Sequence, residues 1–350
     1  MGDEQGQGAK DGVAHEEKNS PDKPKTSDKG GARAGSGGRS WKPAASGPLK
    51  AVLVHNPTAG EGEMSGEDLR LLLRKANISA FYQSSKIGEL TAALSMPCDL
   101  IIVAGGDGTV AKALTQMPDR SVPVAILPFG TANNIATSFG IGGQVEDILA
   151  TLREAEARRL DVGLAHGPWG CVRVVEGIGL GALVRSAERL GKPDVEQDER
   201  LKAALKAIRQ EVKKQDPDRV RVFVDDEPLP EDHLLLEILN IPRGGPRLPL
   251  APQADPGDGL FDVVVLEPSR RKDMLRWLKA GDESEPPPFT TRRGRKIRFI
   301  WEGTPMHVDD DIPPLEEGAA TITLEMERDA VTILAPPASD SPGEIRTQDS

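Results

Sequence analysis

Three short stretches carry residue types that can hold phosphate: HNPTAGEG (His55–Gly62), GGDGT (Gly105–Thr109) and LPFGTANNIA (Leu127–Ala136). Each follows an apolar run and precedes helical patterning, where backbone N–H groups and a helix N-terminus face an anion. Asn56 brings an amide able to bond a phosphate or ribose oxygen, and Gly60 permits close approach. Gly105, Gly106 and Gly108 let N–H groups turn into one concavity ahead of a helix near Thr109. Gly130, Thr131 and Asn133 open another helix. Asp107 stands where many phosphate loops place a lysine. The grip must then come from the backbone, which leaves the carboxylate for a metal ion or for the hydroxyl that accepts phosphate. A glycine turn alone is often a packing device. Three such turns on one sheet edge form a stronger signal.

The surrounding pattern supplies that edge. KAVLVHNP, ISAFYQSS, DLIIVAGG and VPVAILPFG read as buried strands, and each is followed by a helical stretch. Ser65 is the expected N-cap of the helix SGEDLRLLLRKANI. Repeated strand–helix units with near-continuous apolar strands predict a doubly wound parallel sheet over residues 49–150. Ligands of such sheets sit at the carboxyl ends of the strands, where all three loops fall.

From about residue 151 to 335 the runs alternate in period two, as in GCVRVVEGIGLG, HLLLEILNI and RKIRFIWEG, with Asp, Gly and Pro turns between them. This predicts an antiparallel β domain. One helix interrupts it, with Leu201, Ala204, Leu205, Ile208 and Val212 on one face, a stripe expected to pack over the β domain. Residues 1–48 and 336–350 are rich in Gly, Ser, Pro and charge, and are expected to be disordered.

Composition narrows the function. A formal charge of -11 argues against nucleic acid as the main partner, and 3% aromatics cannot build a base-stacking platform. Cys98 and Cys171 have no ligand-like spacing and fit a reducing compartment. No apolar h-region opens the chain, no myristoylation signal follows Gly2, and no apolar run is long enough to span a bilayer. A soluble, cytoplasmic protein is expected.

NPTAG, GGDGT and LPFGTANNIA, in this order and spacing, resemble the catalytic domain of the diacylglycerol/sphingosine lipid kinase family, particularly its soluble bacterial members. The resemblance runs over about residues 50–335. It implies an α/β nucleotide-binding domain followed by a β-sandwich-like domain, with the active site in the cleft between them. It also implies transfer of the ATP γ-phosphate to a lipid hydroxyl. By the same resemblance Asn56, Gly60, Gly105, Gly106, Asp107, Gly108, Thr109, Gly130, Thr131 and Asn133 surround the nucleotide. Ser84 falls where the family often has a threonine touching it.

APQADPGDGLFDV is similar to the family segment that binds structural Mg²⁺, with Asp258 supplying a carboxylate and Asp255 and Leu260 supplying carbonyls. HVDDDIPP lies where the family has Asp-Gly-Glu, whose Glu is the proposed general base. Asp309 matches the Asp, Asp310 replaces the Gly and Asp311 replaces the Glu. A further departure is Asn134, where the family usually has Asp. The expected mechanism has Asp107 organising Mg²⁺ or the acceptor and Asp311, with Asp309, taking the proton. The lipid would be reached from the inner bilayer surface without a membrane span. A homodimer is left open.

Two basic runs, SRRKDMLRWLK and TTRRGRKIRF, read as solvated faces, with Trp277 raising a membrane-contact alternative. An NAD kinase, acting on a soluble ribose, shares the GGDGT turn. A catalytically reduced nucleotide- or lipid-binding protein is the remaining alternative, motivated by Asp311 and Asn134.

Overall fold

The computed structural model describes residues 39–42, 47–62, 64–191, 195–280, 285–311, 318–327 and 330–337. Most of the two terminal segments expected to be disordered therefore lies outside the described residues. In chain order the first elements are β1 (Arg39–Ser40), β2 (Leu49–His55), α1 (Gly66–Lys75), β3 (Ile78–Ser84), α2 (Leu90–Leu94), β4 (Leu100–Gly105), α3 (Asp107–Gln116), β5 (Val124–Pro128), α4 (Asn134–Ser138), α5 (Val145–Thr151) and β6 (Glu156–Leu160). There follow β7 (Gly163–Gly167), β8 (Gly170–Val174), β9 (Gly177–Gly181), α6 (Ala182–Leu190), α7 (Gln197–Lys214), β10 (Asp218–Arg219), β11 (Val222–Val224), β12 (Glu227–Pro228), β13 (Asp232–His233), β14 (Leu235–Leu239) and β15 (Phe261–Leu266). The last are α8 (Arg271–Ala280), β16 (Thr290–Gly294), β17 (Lys296–Trp301), β18 (Met306–Val308), β19 (Ala320–Met326) and β20 (Val331–Ala335).

The first sheet runs β1-β6-β20-β5-β4-β2-β3. Strands β3, β2, β4, β5 and β20 are parallel, and β6 and β1 add antiparallel partners at one edge. Apolar side chains of α2, α3 and α4 cover one face, and those of α1 and α5 cover the other. This is the doubly wound arrangement. Helix α1 starts at Ser65, whose hydroxyl accepts the Asp68 N–H while Asp68 bonds back to the Ser65 N–H.

Two segments depart from the expected boundaries. Arg39–Ser40, inside the stretch expected to lack order, pair with Ala157 and Glu156. Trp41 then donates its N–H to Ala155 and packs on the α1/α5 side, giving that segment an apolar anchor. Strands β6 and β20, expected in the β domain, complete the first sheet instead. Val331 and Ile333 fill one of its faces and Leu334 the other, which is what a strand buried on both sides requires.

The remaining strands form two antiparallel sheets, β12-β11-β17-β19-β7-β8 and β16-β15-β14-β9-β18, and a small β10-β13 pair. Their inner faces interdigitate as a sandwich, Phe299, Ile322 and Leu324 meeting Leu236, Ile238 and Phe261. Full burial of each such side chain stabilises by about 1.5–3 kcal/mol. The outer face of the five-stranded sheet, through Leu235, Leu239 and Val264, is covered by α6, α7 and α8. Within the α7 stripe, Ile208 and Val212 enter that layer, whereas Leu201, Ala204 and Leu205 stay half-buried. Trp277 is buried in the same layer, edge-on to Phe289, which removes it from any membrane contact. Among the described residues no helix is long and apolar enough to cross a membrane.

Glu327, just past β19, joins the two parts. It takes Arg120 of the α/β part at 2.6 Å and Arg173 of β8 at 3.1 Å, and Arg173 also donates to the Thr115 carbonyl on α3.

Candidate active site

The three glycine-bearing loops do leave β2, β4 and β5 at one sheet edge, and they are bonded to one another. Asn56 donates its backbone N–H to Ala104 and its amide to Thr109 Oγ1 at 3.3 Å. Its Oδ1 accepts from Thr58. Phe129 donates to the Gly105 carbonyl. Gly106 and Gly130 meet backbone to backbone: a Cβ on Gly106 would lie 2.9 Å from the Gly130 Cα. Glycine is needed there for close approach, since the obstacle is main chain and cannot swing aside. Gly60 lies against Phe129, and Ser84 sits half-buried at the end of β3, its Oγ accepting the Lys86 N–H.

Helix α3 begins directly at Asp107, with Gly106 as N-cap and no side-chain cap. Its first-turn N–H groups and positive end are thus offered to the loop concavity, a site for phosphate. The Asp107 carboxylate is turned the other way. Its Oδ2 accepts the Asn134 N–H and its Oδ1 the Ile135 N–H, both at 2.9 Å, so it caps α4. Burial pushes its pKa up to about 6 against these bonds, and the charge of Asp310 adds to the rise. Asn133 adopts a left-handed backbone (φ 53°) and spends its amide on Gly130, accepting from its N–H and donating to its carbonyl.

The β part closes the other side. Arg247 donates to the Thr131 and Ala132 carbonyls, and Asn134 donates to the Gly245 carbonyl at 3.0 Å. Across from them, the turn after β18 presents three aspartates with unlike surroundings. Asp309 (φ 49°) accepts backbone N–H bonds from Val175, Glu176 and Gly177. Burial lifts its pKa to about 6 in spite of those donors. Asp310 leans over the first turn of α3, its Oδ2 only 2.6 Å from where a Gly108 Cβ would stand. Asp311 is exposed, and its backbone closes the turn with Val308. The structure therefore gathers Asp107, Asp309 and Asp310 and leaves the Asp311 side chain outside the group.

Glu176, between β8 and β9, was invisible as a site residue in the sequence, because its run reads as an ordinary strand. It is 8% exposed, and its Oε2 accepts from the Asn134 amide at 3.4 Å. Burial, then the charges of Asp107, Asp310 and Asp309, hold its pKa well above the usual carboxylate range. Below it lies a second hidden pair. His307 faces the Glu237 carboxylate with Nε2 (2.8 Å) and donates Nδ1–H to the Asp309 carbonyl (2.9 Å). Burial disfavours the imidazolium, but Glu237 and the Asp309 carbonyl outweigh it and raise the pKa to about 9. A Cβ at Gly179 would collide with the Glu237 carboxylate, so glycine makes the room.

These groups line a cavity of about 190 Å³. It shares Ala132, Leu183, Ala187, Gly245 and Asp310 with a groove of about 600 Å³ between α6 and α7, floored by Leu190, Leu201, Ala204 and Ile208. A chamber ringed by acidic side chains thus adjoins a groove floored by apolar ones.

The expected Mg²⁺ loop is differently occupied. Asp258 accepts the Leu260 N–H and is paired with the Arg293 guanidinium, which also bonds Asp262 at 3.1 Å. Asp255 accepts the Gly257 N–H. Among the described residues no three His, Cys, Asp or Glu side chains converge as metal ligands. An arginine thus already neutralises the carboxylates beside this loop.

Residues 50–165 match the family described as the diacylglycerol kinase catalytic domain, and residues 182–335 match the YegS C-terminal NAD kinase beta sandwich-like domain. A diacylglycerol kinase of Mycobacterium tuberculosis (strain CDC 1551 / Oshkosh) is 26% identical over 251 residues, covering 68% of this chain and 80% of that protein. A protein of Stenotrophomonas maltophilia named "Probable lipid kinase YegS-like" is 29% identical over 236 residues, covering 62% and 73%. Among solved structures, a diacylglycerol kinase from Bacillus anthracis has the same fold, with a TM-score of 0.63 at 19% identity over 83% of this chain and 98% of that one.

Proposed function

We propose, from the match of residues 50–165 to the diacylglycerol kinase catalytic domain and of residues 182–335 to its companion β-sandwich-like domain, that the chain is a member of that family and transfers the γ-phosphate of ATP to the hydroxyl of a lipid alcohol. Kinase membership is carried by the matched domains; the lipid acceptor is supported by one observation. The groove between α6 and α7, floored by apolar side chains, adjoins the acid-ringed chamber beside the glycine loops. A soluble ribose needs no such channel, whereas an acyl chain fills it while its hydroxyl stays in the chamber.

In this reading the α3 N-terminus and the Gly105–Thr109 and Gly130–Thr131 backbones cradle the ATP phosphates, with Asn56, Gly60 and Ser84 at the rim. Phosphoryl transfer asks the protein mainly for positioning and charge control. Asp107 contributes by holding the second and third loops in register. The lipid reaches the groove from a bilayer surface that the protein visits. Labelled ATP offered with a total lipid extract and, separately, with NAD tests the reading: label belongs in the lipid fraction, and label in NAD contradicts it.

A further inference from the structure

We infer that Glu176 is the catalytic base of the proposed transfer, the carboxylate that meets the acceptor hydroxyl and takes its proton. This rests on the kinase reading and adds to it a residue that neither the motifs nor the matched families point to.

The chamber holds several acids, and their bonding separates them. Both oxygens of Asp107 hold the α4 backbone, and Asp309 holds three N–H groups of the β8–β9 segment. Glu237 has its charge offset by the His307 imidazole. Asp310 leans over Gly108, at the phosphate end of the chamber. Glu176 is different. Its Oε2 is steadied by Asn134, while among the described residues no donor reaches its buried Oε1. The Asn134 Oδ1 beside it also lacks a partner. Glu237 Oε1 lacks a donor as well, but that carboxylate already faces the His307 imidazole; three buried acceptors without donors on the wall of one cavity call for a donor from outside the chain. An alcohol O–H arriving from the apolar groove supplies it.

The step balances. The hydroxyl oxygen forms a bond to the γ-phosphorus as its proton passes to Glu176 Oε1. The bond from that phosphorus to the β–γ bridging oxygen breaks, and ADP leaves with the electron pair. Glu176 returns the proton to solvent as the product departs. Facing Glu176 are Asp107 from α3, Asp309 and Asp310 from the turn after β18, Glu237 of β14 with His307 of β18, and Arg243 at the chamber wall. Burial and then the three nearby carboxylates favour its protonated form, so turnover should rise with pH as Glu176 loses its proton. A base placed this way contributes about 10²–10⁴-fold.

The test uses Glu176→Gln, Asp311→Asn and the double variant Asn134→Asp/Glu176→Gln, each first checked for unchanged thermal unfolding. All are assayed with labelled ATP against lipid extract and against NAD. The expected result is at least a 100-fold fall in kcat for Glu176→Gln, with KM for ATP within about twofold and the rise with pH lost. Asp311→Asn should stay within about fivefold of wild type. The double variant, which moves the carboxylate one side chain away and keeps the pair complementary, should recover at least tenfold of the loss. Wild-type label in either acceptor with Glu176→Gln undiminished overturns this assignment alone. Wild-type label in neither overturns both it and the kinase reading.

Discussion

The Asp107 carboxylate and the Ile135 backbone N–H lie 2.9 Å apart, joining residues 28 positions apart in the chain. The acid at the centre of the GGDGT turn is thus the cap of another helix. It points away from the concavity that the turn's own N–H groups form, so one loop carries a negative charge and still leaves a helix N-terminus able to face an anion.

Asp107→Asn keeps the shape but turns one acceptor into a donor. One of the Asn134 and Ile135 N–H groups is then left without a partner, at a cost of about 1–3 kcal/mol. Denaturant unfolding should show that loss, and the KM for ATP should rise as the third loop loosens. Unchanged stability would mean the cap is not formed in solution.

Gly130→Ala places a methyl group on the Gly106 Cα and within 2.7 Å of Asn133 Oδ1. Overpacking of this kind costs about 1–3 kcal/mol, and here it should also cost at least tenfold in ATP affinity. Gly142→Ala, where a Cβ meets nothing within 4 Å, is the control. Equal unfolding midpoints for the two variants would sink the argument.

Much of this was legible in the sequence because the information is local. The Ser65 cap, the parallel strands and the three loops follow from short-range pattern, and the loops do converge. What failed depends on long-range pairing. VTILA carries the alternation of any strand, so nothing in it says that β20 returns to the first sheet. Nothing in the segment around Asp258 announces that Arg293, 35 residues later, lies beside it. Glu176 and Glu237 lie inside apolar runs, and only the fold shows that one faces Asn134 and the other His307. The HVDDDIPP run stands out in the sequence, yet which aspartate enters the chamber depends on a turn whose geometry the sequence does not display.

The His307–Glu237 pair has a pH signature. His307 has its folded pKa raised from 6.5 to about 9. Its stabilisation is fully present below about pH 6.5 and is lost as pH rises through about 9, on the order of 3 kcal/mol over that window. The urea midpoint of wild type should fall more between pH 6.5 and 9.5 than that of His307→Gln. Parallel curves would show that the pair does not titrate with folding.

The 255–260 loop should be indifferent to chelators. EDTA should leave the thermal midpoint within about 1 °C, because Arg293 rather than a cation balances Asp258 and Asp262. Arg293→Met should lose about 1–2 kcal/mol, allowing for solvent screening of the half-exposed guanidinium. A drop of several degrees with EDTA in wild type would restore the metal reading.

The central claim, that the acceptor is a lipid held in the α6–α7 groove, is tested most directly by identifying what receives the phosphate. Wild-type protein and Ala187→Trp, which fills the groove at an exposed position, are incubated with ATP and a native lipid extract, and the lipids are read by mass spectrometry. Wild type should yield a lipid heavier by one phosphate, and Ala187→Trp should yield at least tenfold less while binding ATP as well as wild type. Phosphate found only on a soluble acceptor, or equal lipid yield from both proteins, would contradict it.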